Sequence, residues 1–187
     1  MGLKEDSLLL VNVGRLIADE DQATLLKTVR KLRQKKVNVE LLILGQGPLR
    51  EPLMTLCREF KIDDCVKFFG DLQAPARQRA LATADVAVFS FNKEVYPLQI
   101  LEAMALAKAV IATKIGSNAE IVSEGETGFL VPCGFPERIE SAVMRFYANR
   151  SLAAKAGESA RRKFEEKFSL ERMAEGYARV YKEVLGI

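Results

Sequence analysis

The sequence contains no histidine. That absence removes Ser-His and Cys-His catalysis and takes away the commonest zinc ligand. Any acid, base or nucleophile must then be a carboxylate, a lysine, a tyrosine or a hydroxyl. Cysteine is scarce too, with only Cys57, Cys65 and Cys133. Their odd number and lack of metal-ligand spacing point to reduced, structural thiols. No apolar run approaches the roughly eighteen residues of a membrane span. The N-terminus carries no secretory pattern, so a cytoplasmic location is expected. A net charge of +3 gives no argument for a nucleic-acid partner, although it leaves room for a mildly basic face and peripheral contact with a membrane. Internal repeats, low-complexity segments and linkers are all missing.

What is present is ordinary for a soluble globular protein: 49% hydrophobic and 28% charged residues. A chain of 187 residues can bury one sizeable core, so one domain over 1–187 is expected. Apolar segments alternate in type along it. Strands are predicted over 7–13, 38–44, 65–69, 85–91, 109–113 and 127–131. Helices are predicted over 21–36, 48–60, 75–83, 97–107, 117–124, 136–148, 151–166 and 169–185. Such alternation implies an α/β fold, a Rossmann-like three-layer sandwich of about six parallel strands covered by helices on both faces. Gly157 interrupts the tail, yet its neighbours keep helical patterning.

The polar and glycine residues share a location. Gly14-Arg15 follows the first strand, Gly45-Gln46-Gly47 the second and Gly70-Asp71 the third. Asn92-Lys93-Glu94 follows the fourth, and Lys114-Ile115-Gly116-Ser117 the fifth. All are carboxyl ends of strands, where open α/β sheets bind ligands at a reversal of strand order. Glycines there allow close approach of a ligand, and free amides face an anion. About half of these glycines need no more explanation than the turn itself. Gly45-Gln46-Gly47 is weak as a dinucleotide fingerprint, because Arg50 stands where the third glycine belongs.

The segment from residue 91 to 113 organises the rest. Its helix opens at Pro97 and is apolar on nearly every side. Gln99 and Glu102 form its one narrow polar stripe, and Glu94 lies in the loop that delivers it. Two carboxylates thus flank a helix N-terminus suited to an anion. They describe either a cleft for a phosphate and hydroxyl groups, or merely two solvated glutamates.

The chain resembles the C-terminal, nucleotide-sugar-binding domain of GT-B glycosyltransferases, most closely the retaining family 4. The E-x7-E pattern from Glu94 to Glu102, continued by EAMALAKAVIAT, carries the resemblance. VGRL at 13–16, LLILGQGPLREPL, VKFFGDL, NAEIVSEGETGFLV and the last helix support it in the same order. The resemblance implies a hexosyltransferase that moves a hexosyl group from a nucleoside diphosphate sugar to an acceptor hydroxyl, with no metal and no other cofactor. Glu94 would contact donor-sugar hydroxyls near the reacting carbon, the catalytic position. Glu102 would hold the ribose, the amides of Leu98 and Gln99 the diphosphate, and Arg15 a phosphate. Gly14, Lys93, Val95 and Tyr96 complete the implied donor site.

This sequence departs from the pattern at several points. The family lysine five residues after the arginine falls on Glu20, inside Asp19-Glu20-Asp21, which reverses the charge there. Lys93 or Lys114 could replace that cation, although solvated surface lysines are the plainer expectation. Val95 replaces a small residue, Ala107 and Ala109 replace a glycine and a proline, and Ser117 replaces a glycine.

A full GT-B enzyme has two such domains, and an N-terminal acceptor-binding domain or separate subunit would be the partner. The last helix, with Met173, Tyr177, Val180 and Tyr181, would reach toward that partner; packing on its own domain is the slightly favoured expectation. The other readings are a non-catalytic binding or scaffold subunit, an epimerase-like relative, and a receiver-type domain. The last two lack a histidine base and a convincing aspartate cluster respectively.

Overall fold

The structure is a computed structural model and describes residues 6–93 and 96–186. The strands are β1 (Leu8–Val13), β2 (Val39–Leu44), β3 (Val66–Gly70), β4 (Val86–Phe89), β5 (Ala109–Thr113) and β6 (Gly128–Val131). The helices are α1 (Gln22–Gln34), α2 (Arg50–Phe60), α3 (Ala76–Thr83), α4 (Leu98–Ala105), α5 (Asn118–Ile121), α6 (Pro136–Ala148), α7 (Arg150–Lys167) and α8 (Leu170–Leu185). Each expected element is present; the strand over 109–113 and the helix over 136–148 match at both ends, and the others have at least one end displaced by one to a few residues. A single 3-10 turn, Ala18–Glu20, ahead of α1 was not expected.

The six strands form one parallel sheet in the order β3-β2-β1-β4-β5-β6. β1 pairs with β2 along its whole length, from Leu8 opposite Val39 to Val13 opposite Leu44. On its other side β1 pairs with β4, so the order reverses between these two strands. Side chains alternate across the pleat and supply both faces. Leu8 and Leu10 join the core beneath α1, α2 and α6, which includes Leu26, Val29, Leu53 and Phe146. Leu9, Val11 and Val13 join the opposite core, with Leu81 of α3 and Ile100 and Met104 of α4. Each fully buried leucine contributes about 1.5–3 kcal/mol, which is why a run buried on both faces holds as a strand.

Cys57 and Cys65 are buried and form no disulfide, as expected of structural cysteines. Burial first, and the neighbouring Cys65 second, push the Cys57 thiol up to about 12. It therefore stays protonated and packs as a small apolar group.

The end of α4 explains Gly157. α7 passes so close to it that a Cβ on Gly157 would lie 2.1 Å from the Ala107 carbonyl oxygen. Ala107 itself ends the helix in the left-handed region, at φ 55°. An L-residue with a Cβ costs about 1–2 kcal/mol there, and glycine avoids most of that strain. Ala107→Gly is expected to raise stability by about 1 kcal/mol, a rise of roughly 2–4 °C in a thermal melt. A lower melting temperature would show that the turn is not strained.

The last helix departs from the favoured expectation. α8 buries no residue, and Leu170, Met173, Tyr177, Val180, Tyr181, Val184 and Leu185 are all exposed. Their spacing puts them on one stripe. Tyr177 and Tyr181 meet on it, with ring centres 6.2 Å apart. α8 meets the rest of the chain mainly through α7, which itself packs on α4 and β5.

Candidate functional site

The reversal between β1 and β4 puts their carboxyl-end turns side by side. Buried polar side chains join these turns. Asn12 in β1 donates from Nδ2 to the Val88 carbonyl at 2.9 Å. Ser90 donates from Oγ to the carbonyls of Glu20, at 3.0 Å, and Asp21, at 2.8 Å. The Asn92 amide donates to the Asp19 carbonyl at 2.7 Å. Thr113 donates to the Phe91 carbonyl at 2.8 Å, and Asn118 to that of Thr113 at 2.7 Å. The turns after β1, β4 and β5 thus form one hydrogen-bonded edge. Buried polar groups of this kind fix a single arrangement because leaving them unbonded is costly. None of the four side chains was anticipated from sequence. The only sign was polarity inside apolar runs, such as Asn12 in SLLLVNV.

The glycine turns correct an expectation. Amides after β1 and β2 were to face an anion. Instead Gly14 donates to the Leu44 carbonyl at 3.0 Å, Leu16 to Gln46 at 2.9 Å and Gly45 to Gly70 at 2.7 Å. A Cβ on Gly45 would lie 1.8 Å from the Gly14 carbonyl oxygen, and one on Gly47 would lie 2.4 Å from that of Leu16. Gly45 and Gly47 let two backbone turns pack against each other, and the amides of Gly14 and Gly45 are spent in bonds between turns.

Two opposite charges sit at the β1 turn. Arg15 is exposed, and its carbonyl accepts from Gln22 Nε2 at 2.9 Å. Glu20 is turned inward and is only 6% exposed. Its carboxylate rests against Gly14, where an added Cβ would lie 2.3 Å from Oε2. The acidic run is therefore not wholly a solvated face, because one of its carboxylates is packed into the turn.

Across the crevice, Lys93 and Lys114 are exposed, as are Tyr96 and Leu98 at the start of α4. Gln99 is half-buried. Glu94 and Val95 lie outside the described residues. Glu102 is exposed on a mostly buried helix, part of the polar stripe expected of α4. Its carboxylate lies in the wall of a cavity of about 350 Å³, with Asp71, Leu72, Gln73, Arg77 and Leu81. Arg77 of α3 meets it directly, with Nη2 at 2.5 Å from Oε2. Nothing in the spacing of the α3 sequence marks Arg77, because the contact joins residues 25 apart. The structure thus brings Glu102 to the turn after β3, and links the turn bearing Arg15 and Glu20 to the one bearing Lys93. Among the described residues no group of three or more His, Cys, Asp or Glu is placed to hold a metal ion. No helix among them is long and apolar enough to cross a membrane.

Residues 1–163 match the family model described as "Glycosyl transferases group 1". The chain belongs to this family. It is 27% identical over 184 residues to the N-acetyl-alpha-D-glucosaminyl L-malate synthase of Bacillus anthracis, covering 98% of this chain and 48% of that protein. Sucrose-phosphate synthase from Thermosynechococcus elongatus shares the fold with a TM-score of 0.88 at 25% identity, over 98% of this chain and 47% of that one. Anabaena HepE, solved in complex with UDP, has the same fold at a TM-score of 0.87 and 20% identity, over 95% and 49% of the two chains. This glycosyl transferase group 1 chain spans about half the length of the relatives it matches. Its Rossmann-like six-stranded sheet is the one found in GT-B glycosyltransferase structures.

Proposed function

We propose that the chain binds a nucleoside diphosphate sugar at the carboxyl edge of its sheet and forms the donor half of a retaining, family 4 hexosyltransferase. The observation that carries this reading is Glu102. It is the exposed carboxylate of a mostly buried helix, it lines a cavity together with α3 and the turn after β3, and it belongs to a group 1 chain. A ribose offers two hydroxyl donors, and a carboxylate accepts both.

The remaining roles follow from chemistry and position. The first amides of α4, at Leu98 and Gln99, have no acceptor within the helix and would take the diphosphate, aided by the helix dipole. Arg15 would offer forked donors to a phosphate oxygen. Glu94 would meet the donor sugar near the reacting carbon, with Gly14, Lys93, Val95 and Tyr96 around it. Charge on the departing diphosphate would be stabilised by these fixed donors. The proposed chemistry invokes no cofactor, and no side chain of the chain is assigned as general base. Residues 1–187 would act as one donor domain. An acceptor-binding domain, in the same polypeptide or on another chain, would complete the cleft. The exposed apolar stripe of α8 is the natural place for that partner to sit, since a stripe of this kind loses its contact with water only against another surface.

A thermal-shift and calorimetric panel of UDP, ADP, GDP and their sugars tests the reading. Binding should stabilise the chain by about 2.7 kcal/mol at a hundred times Kd. Residues 1–187 alone should transfer no sugar, since the proposed acceptor side of the cleft lies outside them, and robust transfer would overturn the half-enzyme reading. A flat panel at millimolar ligand would favour the second reading, a non-catalytic subunit. The observation behind that alternative is the buried Glu20 carboxylate in the turn where the family carries a cation.

A further inference from the structure

We propose that Arg77 is a positioning residue, which holds the Glu102 carboxylate toward the cavity and so makes the site select for ribose hydroxyls; this rests on the reading of Glu102 given above. Arg77 lies in the first turn of α3 and Glu102 in the middle of α4. The two elements meet only because the sheet order brings them together. Both side chains line the same cavity. The pair is partly open to solvent, with side-chain exposures of 31% for Arg77 and 45% for Glu102. In such a setting an ion pair adds little to stability. Its main effect is on geometry. A glutamate free on a helix surface samples several rotamers, and a ligand that fixes one of them loses affinity in doing so. Arg77 fixes it beforehand.

The form of the contact matters. Arginine often meets a carboxylate through two parallel bonds. Here the contact is made from Nη2 to Oε2. The Nε–H of Arg77 is buried and has no acceptor among the described residues. The guanidinium therefore approaches end-on, and this contact does not use Oε1 of Glu102. A carboxylate offers about four acceptor positions. One is used by Arg77, and those remaining suffice for the 2′ and 3′ hydroxyls of a ribose. Arg77 also supplies the positive charge that offsets Asp71, the other carboxylate in the wall. Without it, two like charges would face one ligand.

A double-mutant cycle tests the assignment. Arg77→Leu, Glu102→Gln and the double variant are titrated with the tightest of UDP, ADP and GDP, with its 2′-deoxy analogue and with pyrophosphate. Arg77→Leu is expected to weaken the ribonucleotide by roughly fivefold to tenfold. The 2′-deoxy analogue should lose less, so the preference for ribose falls, and pyrophosphate should be unaffected. In the Glu102→Gln background the same substitution should do nothing further, and Arg77→Lys should recover part of the loss. An equal loss for pyrophosphate would make Arg77 a general attractor of anions and overturn the proposal. Additive effects of the two substitutions, or tighter binding by Arg77→Leu, would overturn it as well. Ligand-free melting temperatures show whether each variant is folded. If the unmodified protein binds no nucleoside diphosphate, the donor-site reading itself fails and this inference falls with it. If it binds one and the Arg77 variants bind equally well, only the role of Arg77 is lost.

Discussion

Glu102→Gln is expected to weaken binding of a nucleoside diphosphate by about 1–3 kcal/mol, roughly fivefold to more than a hundredfold, while leaving the fold in place. Glutamine keeps the length of the side chain and one carbonyl acceptor. It gives up the negative charge and the second acceptor oxygen, and it adds two donors that the ribose hydroxyls do not need. Hydrogen bonds to a charged partner contribute about 1.5–3 kcal/mol and neutral ones about half as much, which sets the size of the effect. The ion pair with Arg77 is lost too, but both groups are open enough for water to screen it. Ligand-free stability should therefore change by no more than about 1 kcal/mol. Calorimetric titration of both proteins, with a thermal melt of each, measures the two quantities separately. Unchanged affinity would make Glu102 an ordinary solvated residue of an amphipathic helix.

How much of this site could be read in the sequence depends on the range of the contacts involved. The polar stripe of α4 was legible because Gln99 and Glu102 stand out at helical spacing in an apolar segment. The parallel sheet was legible because runs such as LLLVNV and VELLIL are apolar on both faces. Arg77 was not legible. Its meaning depends on α3 and α4 lying together, and no local pattern encodes that. The ties from Ser90 and Thr113 join turns that are distant in sequence, and they too needed the topology. The glycine turns illustrate a different failure. Gly45 and Gly47 were recognised as positions of close approach, and the group found against each is the neighbouring backbone turn. Local sequence tells that a side chain is not tolerated, and it does not tell what takes the space. α8 shows the same limit. Its amphipathic pattern was plain, but an apolar stripe does not say which surface will cover it.

The inward turn of Glu20 sharpens the last prediction. Its carboxylate lies beside Gly14 at the end of β1, and that turn is tied to the one after β4 by the bond from Asn92 to Asp19. A negative charge there shares the crevice with any diphosphate held at the start of α4, and opposes it. Glu20→Lys removes a repulsion and adds an attraction. At an effective dielectric near 20 the two changes together are expected to tighten diphosphate binding by about 1–3 kcal/mol, and the gain should shrink as salt rises. The ligand-free protein should lose some stability, because a lysine at a position only 6% exposed must bury its charge or swing out. Arg15 is exposed at the same turn, on a backbone held by the bond from Gln22, so Arg15→Ala should weaken binding in both backgrounds. Lys93 and Lys114 provide the control, since both are exposed and either would mask the effect of position 20 if it already filled the cation's place. In that case Glu20→Lys would do little and the loss would follow Lys93→Ala or Lys114→Ala. Titrations of the single variants at low and high salt separate these outcomes. If none of the four substitutions alters affinity, the β1 turn does not meet a diphosphate. The buried Glu20 would then be a packing residue of the Gly14 turn, and the donor phosphates would have to be held by α4 alone.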